Sequence, residues 1–122
     1  MDNFSFLKDF PSSFIFGTAT SSYQIEGNQY GGCGKSIWDD FAKRKLNGID
    51  GLNACNHYEY FEEDIKLIKD LGFRAYRFSF SWPRLYPENN RELNNEGVDF
   101  YHRLLDKILE NGLEPFPTLY HW

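Results

Sequence analysis

The stretch Arg77-Phe78-Ser79-Phe80-Ser81-Trp82 decides the fold. Arg77, Ser79 and Ser81 alternate with Phe78, Phe80 and Trp82. A period of two marks a strand, because successive side chains leave opposite faces. The aromatic face calls for a cover of helices. The other face is polar and carries a guanidinium, which is costly in so apolar a run unless a carboxylate or several hydrogen bonds meet it. The stretch therefore predicts a strand with helices on one side and a polar interior on the other.

A helix-period segment precedes it. Tyr58, Phe61, Ile65, Ile68 and Leu71 recur at spacings of three or four, with Glu62, Glu63, Asp64, Lys66 and Lys69 between them. That is an amphipathic helix from about Asn56, closed by Gly72. Downstream the pattern returns. Val98, Tyr101, Leu105 and Ile108 stripe a second helix from about Asn95 to Asn111, Gly112 ends it, and Glu114 to Trp122 reads as another strand. Gly112 falls 40 positions after Gly72 (112 − 72), and the same offset maps Ile68 on Ile108 and Phe61 on Tyr101. The match reads as a repeat of one αβ unit, with coincidence between two amphipathic helices as the other reading. The offset also maps Ser81 on His121 and Arg77 on Pro117, which would put His121 on the polar side with Arg77 and Ser79.

Upstream, Phe14 to Thr20 reads as a buried strand, followed by a glycine-rich loop from Ser21 to Gly34. Ser36 to Phe41 reads as a short helical turn with Ser36 as a cap, and Lys43 to Asn53 as a further loop. Strand–helix alternation implies parallel strands and right-handed crossovers. A polar inner face favours closure into a barrel, whose site lies at the strands' C-terminal ends. Gln24 and His121 would stand at that mouth.

Composition narrows the function. At 122 residues the chain is one domain, and its 19% aromatic content excludes a disordered chain. A net charge of −5 without a basic run argues against nucleic acid, and no apolar run is long enough for a membrane helix. Two cysteines, Cys33 and Cys55, are too few for a disulfide framework or a zinc cluster. With no signal-peptide pattern at the start, free thiols and a cytoplasmic location are expected.

Four ordered motifs carry a resemblance. Phe16-Gly17-Thr18-Ala19-Thr20-Ser21-Ser22-Tyr23-Gln24-Ile25-Glu26-Gly27 resembles the N-terminal signature of family 1 glycoside hydrolases. Ser36-Ile37-Trp38-Asp39, Tyr76-Arg77-Phe78-Ser79-Phe80-Ser81-Trp82-Pro83-Arg84 and Thr118-Leu119-Tyr120-His121-Trp122 match in the same order. The likeness spans nearly everything from Phe10 on and is closer to the β-glucosidase branch than to the 6-phospho branch. It implies the first three strand–helix units of a (β/α)8 TIM barrel, cleavage of β-glucosides with retention, and no metal or organic cofactor.

Residue by residue, the resemblance makes Gln24 and His121 ligands of sugar hydroxyls, Trp122 a pocket wall, and Arg77 the partner that orients the nucleophile. It places the acid/base glutamate in an Asn-Glu-Pro motif after strand four and the nucleophile in a Glu-Asn-Gly motif after strand seven, and neither motif is expected in this sequence. No catalytic residue is expected here, and the chain alone is expected to be inactive. Its partners would be a β-glucoside or terminal glucose and a complementary chain supplying the rest of the barrel. From the residues alone other readings stay open: Gln24 as a loop cap, His121 as a packed side chain, Trp122 as core, and Arg77 in a makeshift pairing. At the level of the chain, a non-catalytic sugar-binding module or a truncated product without function also stays open. His57, Glu26 and Asp39 read as structural. Pro117 stands where the family usually has a β-branched residue, and a proline there removes a ladder donor. Either the pairing of that strand is disturbed or the proline marks an exposed edge.

Overall fold

The two helix-closing glycines do what their positions require. Gly72 and Gly112 have φ of 85° and 71°, a region costly for any residue with a Cβ. A computed structural model describes residues 9–88 and 91–121. Among these the elements run β1 (Gly17–Ala19), α1 (Ser22–Ile25), α2 (Ile37–Lys45), α3 (His57–Asp70), β2 (Ala75–Ser79), α4 (Trp82–Leu85), α5 (Asn95–Glu110) and β3 (Glu114–Thr118). The strands form one parallel sheet in the order β1-β2-β3.

The core lies on one face of β2. Tyr76 and Phe78 pack with Tyr58, Phe61 and Ile65 of α3 and with Phe100, Tyr101, Leu104 and Ile108 of α5. The alternate residues Ala75, Arg77 and Ser79 turn to the other face, as the alternation predicts. Trp82 leaves the pattern: the strand stops at Ser79, and Trp82 opens the turn α4, 44% exposed.

The α5 stripe is rotated from its expected line. Gly97, Phe100, Tyr101, Leu104 and Ile108 are buried, whereas Val98 and Leu105 are only partly covered. The cause is a close approach at Gly97, where an added Cβ would sit 2.5 Å from the Arg84 carbonyl oxygen. On α3, Leu71 is 64% exposed rather than part of the stripe, because it falls at the C-cap.

Three further expectations change. The Phe14–Thr20 stretch is not a buried strand: only Gly17–Ala19 pairs, and Phe14 and Ile15 are 44% and 47% exposed. β1 lies at one edge of the sheet, and Phe10, Phe14 and Phe16 cluster instead, with tilted and edge-on rings 4.7–5.1 Å apart. The loop after β1 contains the turn α1. The element at Ser36 is a full helix of nine residues, closed at its start by a capping box in which Ser36 and Asp39 hold each other's backbone N–H.

β3 ends at Thr118, short of the expected Trp122, and Trp122 itself lies outside the described residues. Its pairing with β2 is intact despite Pro115 and Pro117. Glu114 N donates to Arg74 O at 2.8 Å and Phe80 N to Thr118 O at 3.1 Å. Alternate residues of a strand aim their backbone groups at opposite neighbours, so 114, 116 and 118 address β2. Both prolines therefore turn their missing donors to the outer edge. The register aligns Ala75 with Glu114, an offset of 39 (114 − 75), and pairs Arg77 with Phe116. The helices repeat at 40, but neighbouring strands are staggered, and a one-residue shift exchanges the faces. Pro117 thus shares a face with Phe78, not with Arg77.

Candidate functional site

Each strand hands its chain to the same end of the sheet. β1 leads into Ser21 and α1, β2 into Ser81 and Trp82, and β3 into Tyr120 and His121. Together with Lys35, Ile37 and Trp38 at the start of α2, these segments line a cleft of about 470 Å3. Gln24 and His121 both lie on its wall, although the offset of 40 was the wrong reason to expect it. His121 arrives there because the chain leaves the strand after Thr118, which frees it from the ladder's alternation.

The lips of the cleft are hung from β2. Thr20 N donates to Arg77 O at 2.9 Å, and Ser22 N donates to Ser79 Oγ at 2.9 Å. Trp82 Nε1 donates to Leu119 O at 2.8 Å, which ties the segment after β3 to α4. Ser21 Oγ donates to Gln24 Oε1 at 2.5 Å. Arg77 is half-buried on the polar face and donates to Thr20 O at 3.3 Å, but it is not among the residues lining the cleft.

Below the cleft lies an ion pair hidden from the sequence. Arg84, 0% exposed, donates from Nε to Glu26 Oε2 at 3.0 Å, and its other nitrogens donate to Tyr30 O and Gly27 O at 2.7 and 2.8 Å. The Tyr101 hydroxyl donates to Glu26 Oε1 at 2.9 Å and accepts from Ser81 N at 2.6 Å. The guanidinium also stands 4.4 Å over the Tyr58 ring. Burial pushes the Glu26 carboxyl above its ordinary value, against the pull of Arg84 and of the Arg84 and Tyr101 hydrogen bonds. The pair joins the segment after Gln24 to the segment after Trp82. Glu26 and Asp39 are structural, as the residues suggested. Asp39 accepts from Tyr23, Asn28 and Ser36 and so braces the same wall. His57 is buried, with Nδ1 2.7 Å from Asp64 Oδ2.

The sequence reading passed over Trp38, Trp82 and Tyr120 as cleft residues. Their signal was present: large aromatics just after strands or at a helix start, 44% and 63% exposed at Trp82 and Tyr120.

The family model for glycosyl hydrolase family 1 matches residues 6–122. The chain belongs to glycosyl hydrolase family 1. This family 1 chain is 52% identical to "Beta-glucosidase A" of Acetivibrio thermocellus over 117 residues, covering 93% of itself and 26% of that protein. It is 51% identical to "Beta-glucosidase 4" of Oryza sativa subsp. japonica, with 93% and 25% covered. The solved family 1 β-glucosidase from Thermotoga maritima superposes with a TM-score of 0.86 at 50% identity over 93% of this chain and 26% of that one. The virulence factor SghA, solved with its substrate analogue salicin, gives 0.93 at 42% identity over 100% and 28%. The chain thus spans about a quarter of the length of these relatives. Its sheet is the first three strand–helix units of a (β/α)8 barrel.

One expectation about the catalytic motifs needs correcting. The triplet Glu-Asn-Gly does occur, as Glu110-Asn111-Gly112. It closes α5, at the opposite end of the sheet from the cleft, and Glu110 pairs with Lys107 at 3.4 Å. It is a helix terminus, not a nucleophile.

Proposed function

We propose that this family 1 chain carries the glycone-binding part of a retaining β-glucosidase and hydrolyses nothing by itself. The observation that supports this most is the shared cleft, which Gln24 and His121 line together with Trp38, Trp82 and Tyr120. Small-molecule sites are concave, largely apolar, and use a few placed polar groups to fix orientation. An amide and an imidazole can each serve a sugar hydroxyl, by donating or by accepting. Relatives with this segment are named β-glucosidases, and one solved relative holds a glucoimidazole.

Retention needs two carboxylates about 5 Å apart at the scissile bond. Glu26 and Asp39 lie close by but are spent on Arg84, Tyr101, Ser36, Asn28 and Tyr23. A complementary chain bearing the remaining strands supplies the missing acids. Arg77 then faces the nucleophile and favours its ionised form. The pure 122-residue chain should release no nitrophenol from 4-nitrophenyl β-D-glucoside. Mixed with a polypeptide carrying the rest of the barrel, it should release it. Turnover by the chain alone would end the reading of inactivity. Absence of any saturable binding of methyl β-D-glucopyranoside would end the glycone reading.

A further inference from the structure

Ser21 and Gln24 spell a helix start, yet they do not cap one. Ser-x-x-Gln is the pattern of a capping box, in which hydroxyl and carboxamide each hold the other residue's backbone N–H. Ser36 and Asp39 of this same chain do that at α2. At α1 the Ser21 side chain makes no cap bond. Its hydroxyl donates instead to Gln24 Oε1, at 2.5 Å. Ser21 is 3% exposed and is held on both sides, by Thr20 N on Arg77 O and by Ser22 N on Ser79 Oγ. Gln24 is exposed on the cleft wall. The helical turn forgoes a cap, and the hydroxyl grips the amide of a cleft residue from a rigid base.

We propose that Ser21 is a positioning residue for the sugar contact: it clamps Gln24 by the amide oxygen and so turns Nε2 into the cleft. This rests on reading the cleft as a glycone site. A carboxamide left to rotate offers oxygen or nitrogen to a ligand with similar ease. Clamped, it offers two N–H donors and keeps one lone pair, so Gln24 addresses a sugar oxygen chiefly as a donor. The clamp also fixes the side chain before the ligand arrives, which removes part of the ordering cost of binding.

The test uses the 15N-labelled chain and methyl β-D-glucopyranoside. Ser21→Ala should weaken binding about fivefold, in the range of one lost hydrogen bond. Ser21→Thr, which keeps the hydroxyl, should bind within about twofold of the wild type. In a Gln24→Ala background Ser21→Ala should change the affinity no further, since coupled residues are not additive. An equal loss in both backgrounds would make Ser21 a structural residue and overturn the proposal. If the wild type binds no glucoside, the glycone reading fails, and the clamp is judged in the free protein. There the two Nε2 protons of Gln24 should show distinct shifts that move to ordinary glutamine positions in Ser21→Ala. Unmoved Gln24 signals would overturn the clamp. Ser21→Gly, tolerated at an N-cap, replaces Ser21→Ala if that variant does not fold.

Discussion

Replacing Arg84 with alanine should cost more than any other single change beneath the cleft. The guanidinium is fully enclosed and makes one bond to Glu26 and two to backbone carbonyls. Removing it strands the Glu26 carboxylate, 4% exposed, and leaves Gly27 O and Tyr30 O without that donor. Breaking a buried pair from one side costs about 3–5 kcal/mol. Small domains hold roughly 5–15 kcal/mol in total, so Arg84→Ala should remove a large share of the stability. Urea unfolding followed by tryptophan fluorescence measures it. Most of the penalty is the orphaned charge, so two controls follow. Adding Glu26→Gln should recover about 1–2 kcal/mol, the cost of one unsatisfied group.

The penalty should also shrink as pH falls. Burial already raises the Glu26 carboxyl above 4.5 in the fold, and loss of Arg84 removes the counter-pull. A folded value above the unfolded one means that the native state holds the proton more tightly. The stability tied to the neutral form is complete below about 4.5 and is lost as pH rises through the folded value. A penalty under about 1 kcal/mol at pH 7, or one unchanged down to pH 5, would refute the reasoning.

Two further outcomes are expected. Burial, opposed by the Thr20 hydrogen bond, pushes Tyr76 from 10.0 up to about 12. Its contribution is therefore complete below pH 10 and is lost as pH rises through 12, a fall of roughly 3 kcal/mol. Tyr76→Phe should flatten the stability profile in that window, though Tyr101, also raised by burial, keeps some slope. An identical slope would count against the assignment. Pro117→Val should leave urea stability within about 0.5 kcal/mol, as substitutions away from the core do, because the restored donor faces outward. Light scattering should show more self-association, since the outer edge gains an N–H. A large stability change without association would mean that residue 117 addresses β2 after all.

The helices and the sheet order were legible because their signals are local and periodic. Gly72, Gly112 and the α3 stripe could be read from spacing alone. What failed depended on neighbours. The rotation of α5 follows from backbone contact between Gly97 and Arg84, thirteen residues apart (97 − 84), which no hydropathy pattern encodes. The faces of β3 follow from strand stagger, which helix repeats do not report. Phe14 and Ile15 look like core by composition, yet they lie before β1 and outside its pairing. In the cleft, Gln24 and His121 could be found through motif order. The Glu26–Arg84 bond could not, because fifty-eight residues separate the two (84 − 26) and each sits in a segment that reads as loop.

That hidden pair ties the cleft walls to each other. Gln24 is held by Ser21, and the segment that bears both is tied to β2 by Ser22 N on Ser79 Oγ and Thr20 N on Arg77 O. The segment bearing His121 is fixed by Phe80 N, just past β2, on Thr118 O and by Trp82 Nε1 of α4 on Leu119 O. Arg84 then locks α4 to the segment after Gln24. Both walls are therefore held by the C-terminal end of β2 and the turn α4 that follows it, and none of these bonds needs a residue beyond 121. On the proposed reading, sugar recognition and bond cleavage separate along the chain. Hydroxyl contacts are prebuilt in this segment, and the carboxylates arrive with another. Affinity for a glucoside should then survive in the isolated chain while turnover does not, and Gln24→Ala should weaken the first to a still measurable level without bearing on the second.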